Sequence, residues 1–325
     1  MNIFKYIMFN FSRMIILIIL VCIVTFTLVV NSPIDPIRQY IGEGNTVSIE
    51  QRGEIEKYWG LDESKIDRFI NWSSNLLKGD LGESLIFRKS VISVISERAI
   101  NSLFLMVSAF ILSGMVGYIL GLIMGKYRDS LLDKIIKSIC ITFTATPTFW
   151  VGILMLIIFS VKLKIFPIGF SVPIGITTDN INILEKIHHA ILPIITLTLV
   201  FVPNVAMHTR SKTIEVLQSD YVLFAIAKGE SEKSILKNHI FKNTVLPAVT
   251  IQFGSFSEIF GGSVLAESVF SYPGLGSTVV QAGLGGDIPL LLGTTIITAI
   301  FVFMGNFIAD ILHMAMNPMI REEKV

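Results

Sequence analysis

Residues 208–247 read HTRSKTIEVLQSDYVLFAIAKGESEKSILKNHIFKNTVLP, and they separate two long apolar runs. Ile214, Leu217, Tyr221 and Phe224 recur at three- and four-residue steps beside polar Glu215, Gln218 and Asp220, the spacing of one apolar helical face. Ser219 and Asp220 suit a cap or a restart of that helix. Lys228 followed by Gly229 suits a helix C-terminus, where glycine adopts the left-handed conformation without a steric penalty. Ser231 before Glu232 opens a second amphipathic segment, carrying Ile235, Leu236 and Ile240 and leading to Pro247. A helix, a glycine turn and a second helix make a knob presented outside the apolar runs, and a knob of this kind is a docking surface.

Composition places the knob on an integral membrane protein. With 52% hydrophobic and 16% charged residues among 325, and a mean hydropathy of +0.69, the apolar surface exceeds what one water-soluble core buries. A net charge of +1 gives no electrostatic footprint for nucleic acid. Cys22 and Cys140 both fall in apolar runs, with neither metal-ligand spacing nor a disulfide framework.

A spanning helix takes about 20 mainly apolar residues, because the hydrocarbon layer is about 30 Å thick and the helix rises about 1.5 Å per residue. Residues 14–30, 102–125, 138–161, 190–207, 245–265 and 290–309 qualify, the first being the shortest. The expected fold is therefore all-α and polytopic, with six transmembrane helices. Asn31, Ser32 and Pro33 follow the first run without a small-residue cleavage pattern, so residues 1–30 read as an uncleaved anchor helix.

Positive charge in short connections favours the cytoplasm. Residues 126–137 carry Lys126, Arg128, Lys134 and Lys137, residues 208–244 carry six Lys or Arg, and the N-terminal and C-terminal segments add Lys5, Arg13, Arg321 and Lys324. Residues 267–289 carry none. Both termini and residues 208–244 are expected on the cytoplasmic side. Residues 31–101 then form an extracytoplasmic loop or cap, with Trp59, Trp72, Ile66, Phe69, Ile70, Leu76 and Leu77 at roughly helical spacing and a turn at Gly79-Asp80-Leu81-Gly82. Such a cap either covers helix ends or receives a partner. Residues 102–325 form a five-helix core around the coupling segment 208–244.

The segment Asp220-Tyr221-Val222 through Ala225, Ala227-Lys228-Gly229, His239, Asn243 and Pro247 resembles the cytoplasmic motif of bacterial ABC-importer permeases, in the oligopeptide/dipeptide/nickel branch. Phe270-Ser271-Tyr272-Pro273-Gly274-Leu275-Gly276, with Glu267 just before it, resembles that branch's external motif. Gly79-Asp80-Leu81-Gly82-Glu83-Ser84, Thr146-Pro147-Thr148-Phe149-Trp150 with Gly152, and Asp310 with Asn317-Pro318 extend the likeness over nearly the whole chain. The chain departs from the branch at Ile226, where arginine is usual, at Phe224, which replaces a small residue, and at Asn317-Pro318-Met319, which replaces Asp-Pro-Arg.

The resemblance implies a type I importer permease that supplies half of a translocation path in the bacterial inner membrane and pairs with a second related permease as a heterodimer. It implies that Asp220, Tyr221, Ala225, Ala227, Lys228 and Gly229 couple the chain to two ATP-binding subunits, and that an extracytoplasmic substrate-binding protein delivers cargo. It implies no catalytic residue, no metal and no cofactor on this chain, with ATP and magnesium held by partner subunits. The chain's own residues agree, since no G-x-x-x-x-G-K-[ST] phosphate loop occurs. Oligopeptides or dipeptides are the expected cargo, with nickel or a metal chelate as the alternative. For Lys228, a cation complementing the helix dipole and a specific partner contact are both open readings.

Glu258 stands well inside an apolar run, where ionisable groups face protein or water because exposure to lipid is costly. It is the candidate path residue, beside the plainer readings of a structural hydrogen bond or a shifted span boundary. Gly261, Gly262 and Ser263 permit close helix contact. Pro147, Pro193 and Pro203 can interrupt helix ladders. No metal site is expected at His188 and His189. A channel or secondary transporter is the alternative class; it lacks paired intramembrane charges and leaves the knob unexplained. An intramembrane enzyme lacks H-E-x-x-H and G-x-S-x-G.

Overall fold

The computed structural model describes residues 3–32, 37, 48–58, 60–169 and 182–316. Trp59 and Asn317-Pro318 lie outside the described residues. The described helices are α1 (Ile3–Val30), α2 (Ile49–Tyr58), α3 (Lys65–Leu77), α4 (Val91–Lys126), α5 (Leu131–Thr144), α6 (Thr148–Met155), α7 (Ile183–Leu217), α8 (Asp220–Ala227), α9 (Glu232–Ile235), α10 (Phe241–Gly254), α11 (Phe256–Val269), α12 (Leu275–Leu284) and α13 (Ile288–Met316). A π-helical stretch, Leu156–Lys162, continues α6, and another, Leu236–Ile240, joins α9 to α10.

Four of the described helices contain segments long and apolar enough to cross a bilayer: Phe11–Val30, Val91–Lys126, Ile183–Leu217 and Ile288–Ile311. The run at 138–161 was expected to be one span, yet it is split between α5 and α6, which bend by 109°. The cause is local. Pro147 has no N–H to continue the ladder, and the residue before a proline avoids the helical region, so α5 ends at Thr144 and Pro147 begins α6. The run at 245–265 is likewise divided into two 14-residue helices, α10 and α11, that meet at Ser255. Pro193 and Pro203, by contrast, lie within the continuous α7.

The chain divides into two compact units, Met1–Ser102 with Pro273–Phe303, and Leu103–Tyr272 with Met304–Val325. In the first, Leu81, Val91, Val94, Ile95, Leu275, Ala282, Leu290 and Leu291 form the buried core. Ser64 caps α3 by accepting from the Asp67 amide at 3.2 Å. Phe69 of α3 meets Phe26 of α1 with ring centroids 5.0 Å apart, whereas Ile66, Ile70 and Leu77 are exposed. The amphipathic spacing thus locates the helix but overstates its buried face.

In the second unit, α7 is buried along much of its length against α4, α5 and α11. Its approach to α4 depends on glycine: a Cβ placed on Gly121 would stand 2.5 Å from Thr209 Cβ and 2.7 Å from the Ala206 carbonyl, and one on Gly125 would stand 2.5 Å from Thr213 Cβ. A Cβ on Gly262 would stand 2.9 Å from the Phe201 ring, while Gly261 faces open space within the chain.

Candidate functional site

The segment after α7 is built by backbone rules. At 35 residues, α7 is about 52 Å long, well beyond the hydrocarbon thickness of about 30 Å. The helix stops at Leu217, and beyond it the Ser219 hydroxyl donates to the Val216 carbonyl at 2.6 Å. Ser219 then takes an extended conformation and opens α8, with Asp220 in the first turn, where a carboxylate complements the helix dipole. The single apolar face expected through Ile214, Leu217, Tyr221 and Phe224 is therefore broken at residue 218. The restart rotates the register, so α8 buries Val222 and Ala225 and exposes Tyr221 and Phe224.

Gly229 ends α8 with φ +84°, its amide donating to the Ile226 carbonyl at 2.9 Å while the Glu230 amide donates to the Ala225 carbonyl at 3.1 Å. These two bonds are a Schellman turn, whose left-handed residue is the reason for glycine. Ser231 then caps α9 by accepting from the Ser234 amide at 3.3 Å. Val216, Val222, Ile235 and Ile240 close a buried cluster with Leu217 and with Leu122 of α4. Lys126 at the end of α4 holds Glu232 at 2.8 Å, and that contact keeps the Glu232 carboxyl below its usual range. His239 Nε2 lies 3.4 Å from Glu230, and its ring stands 6.0 Å from that of Tyr221.

What remains outside is apolar. Tyr221, Leu223, Phe224 and Ile226 are 47%, 52%, 60% and 51% exposed, and Lys228 Nζ sits 4.7 Å from the centre of the Phe224 ring. Of the six predicted residues, Asp220, Tyr221, Ala227, Lys228 and Gly229 lie on the exposed side, and Ala225 is part of the buried side.

The predicted external motif falls in two parts. Glu267 is fully buried in the last turn of α11, and its carbonyl accepts from the Tyr272 amide at 2.8 Å. Phe270 and Tyr272 pack with Leu105, Ala190, Leu192 and Ile194, and burial, aided by the Glu267 charge, pushes the Tyr272 hydroxyl up to about 12. In the other unit, the Pro273 carbonyl accepts from Asn101 Nδ2 at 2.8 Å, Gly274 begins α12 in an extended conformation, and Gly276 is buried. Two polar anchors there escaped the sequence reading. Asp287 is fully buried and accepts from the Ser84 hydroxyl at 2.7 Å, from the Ile86 amide at 3.1 Å and from the Leu290 amide at 3.1 Å. The Ser84 end of the Gly79-to-Ser84 motif is thereby tied to the turn before α13.

Glu258 is exposed rather than buried. It lines a cavity of about 380 Å³ with Asn204, Thr250, Ser255 and Asp310, where Asn204 Nδ2 donates to Ser255 Oγ at 2.7 Å. His188 and His189 face the carbonyls of Ile165 and Gly169 at 3.1 and 3.0 Å.

Residues 117–322 match the family model of the binding-protein-dependent transport system inner membrane component. The chain belongs to that family. Among its relatives, the oligopeptide transport system permease protein AppB of Bacillus subtilis is 33% identical over 92% of this chain and 94% of its own length. The di/tripeptide transport system permease protein DppB of Pseudomonas aeruginosa is 30% identical over 94% and 95%. The glutathione transport system permease protein GsiC of Escherichia coli is 30% identical over 93% and 94%. The MetNI methionine ABC transporter, solved in inward-facing conformations, shares the fold with a TM-score of 0.55 at 14% identity, over 70% of this chain and 97% of that one. This permease is accordingly a non-catalytic, multi-pass membrane subunit of an ABC importer of type I fold, a class that works with ATP-binding subunits and a substrate-binding protein.

Proposed function

We propose that the chain forms half of a peptide path and that α8 is the surface on which an ATP-binding subunit seats. The observation that carries this reading is the apolar patch of Tyr221, Leu223, Phe224 and Ile226, more than two-fifths exposed at each residue. It stands on a helix whose opposite face is buried. A soluble surface that displays large side chains in this way marks a protein interface. Asp220 and Lys228 form its polar rim with Ala227 exposed between them, Gly229 sets its angle, Val222 seats it on the buried cluster, and Ala225 lies on the same buried face.

In this reading the permease pairs with a related chain as a heterodimer served by two ATP-binding subunits, which hold ATP and magnesium. Both termini and residues 208–244 lie in the cytoplasm, six spans cross the bilayer, and residues 31–101 form the outer cap. Glu267, Phe270, Pro273, Gly274 and Gly276 then shape the extracytoplasmic side. Glu258 lines the path, a role supported by its place in a cavity shared with Asp310 and Asn204. Peptide cargo is supported by the names of the relatives described above.

Phe224→Glu tests the docking surface. The side chain is 60% exposed, so folding is expected to survive. Copurification with the ATP-binding subunits should fall at least about tenfold, the loss of roughly 1.4 kcal/mol that a weak hot spot supplies. An unchanged complex would refute the assignment.

A further inference from the structure

We propose that Asp133 and Arg210 are a positioning pair that locks the end of α7 to the start of α5, so that movement of the elbow is delivered to the bent α5–α6 run. The inference rests on the reading of α8 as the docking surface. Its geometry is specific. Arg210 Nε donates to Asp133 Oδ1 at 2.7 Å and Nη2 donates to Oδ2 at 2.7 Å, and the Asp129 amide donates to Oδ2 at 2.9 Å. The Asp133 side chain is 2% exposed and that of Arg210 is 14% exposed.

A buried pair of this kind adds little net stability, because desolvation offsets the attraction and well-packed apolar residues do as well. Direction is what it adds. Two parallel bonds between planar groups fix an angle as well as a distance. Besides the pair, α5 and α7 share an apolar cluster that includes Ile136, Cys140, Val202 and Ala206. Such a contact resists separation but has no directional bond to stop the helices sliding along one another.

Placement favours transmission. Arg210 lies two turns, about 10 Å, before the end of α7 at Leu217. Asp133 is in the first turn of α5, whose other end leads into the 109° bend. Thr209 and Thr213, on either side of Arg210, are pressed against Gly121 and Gly125 of α4, which leaves the arginine backbone no room to retreat. Displacing the elbow with the pair intact must therefore carry α5 with it.

The test uses the full chain assembled with its ATP-binding subunits in nanodiscs, with Cys22 and Cys140 replaced by alanine and spin labels at Glu215→Cys on α7 and Ser138→Cys on α5. Pulsed dipolar spectroscopy should give one narrow distance distribution, the same with and without ATP. Asp133→Asn and Arg210→Gln should broaden it and make it nucleotide-dependent, and the exchange Asp133→Arg with Arg210→Asp should narrow it again. In proteoliposomes with the binding protein, tri-alanine moved per ATP hydrolysed should drop about tenfold in the single variants, within the range by which coupling residues act.

If a single variant fails to fold, the double Asp133→Leu, Arg210→Met, which leaves no unpaired charge, should fold and still broaden the distribution. A distribution that stays narrow without the pair overturns the inference, as does a wild-type distance that changes on adding ATP. An assembly that hydrolyses no ATP would instead sink the importer reading, and the distances in the isolated chain would still decide the linkage.

Discussion

Gly229 is a residue whose constraint is entirely its own backbone. A Cβ there would meet nothing within 4 Å, yet φ is +84°. Valine should strain the turn by about 1–2 kcal/mol or more, since β-branched residues tolerate left-handed backbone worst, whereas asparagine accepts it. Substrate-stimulated ATP hydrolysis in the assembled importer is expected to fall in Gly229→Val and to persist in Gly229→Asn. Full activity in the valine variant would remove the turn from the coupling argument. Asp287 presents a different constraint. Burial pushes its carboxyl above the usual range although hydrogen bonds from Ser84 and from the Ile86, Leu290 and Leu85 amides pull the other way. The folded state therefore holds this proton more tightly than the unfolded chain, so the group's contribution is complete below the unfolded pKa, near 4, and is lost as pH rises through the folded value. Asp287→Asn, which cannot ionise, should flatten the melting temperature against pH above about 4 in detergent. A slope equal to that of the wild type would place the titration elsewhere.

The seam between α4 and α7 is the element most exposed to small changes of volume. Gly121→Ala forces a methyl to within 2.5 Å of Thr209 Cβ, against a neighbouring backbone that cannot shift cheaply. The cost should be about 1–3 kcal/mol, as for other overpacked cores. Gly261→Ala, on a helix face with nothing within 4 Å, should cost nothing and gain up to about 1 kcal/mol of helix propensity. Thermal melts of the two variants check the contrast, and equal losses would refute the contact account, because helix propensity favours alanine at both positions. The paired contacts explain why glycine recurs on one face of α4, a pattern that sequence spacing suggests but whose partner helix it does not name.

Across the molecule, the sequence exposed local rules and concealed distant ones. The apolar runs, the Gly229 turn and the break at Pro147 each follow from neighbouring residues, although the angle at Pro147 does not. Ser130 three residues before Asp133 is a visible cap, but the partner at Arg210 is 77 positions away and emerges only when α5 and α7 pack. Asp287 likewise finds Ser84 across 203 positions. Tyr221 and Phe224 were legible as apolar but not as outward-facing, because the extended backbone at Ser219 resets the helical register. Sidedness remains open to direct measurement. Both native cysteines are buried, so single engineered thiols report on a quiet background. In the permease freed of its ATP-binding subunits, Phe224→Cys should react with an impermeant maleimide only from the cytoplasmic side and Ile66→Cys, at a site 71% exposed, only from outside. The reverse pattern would invert the proposed topology.

The uninterrupted length of α7 has a mechanical consequence. A rod of about 52 Å swung by about 10° around one end carries its far tip about 9 Å, so a modest rocking on the nucleotide side suffices to sweep a distance comparable to a helix diameter. Pro193 and Pro203 sit along that rod without breaking it, and any substitution that let it flex there would shorten the stroke while leaving its origin untouched.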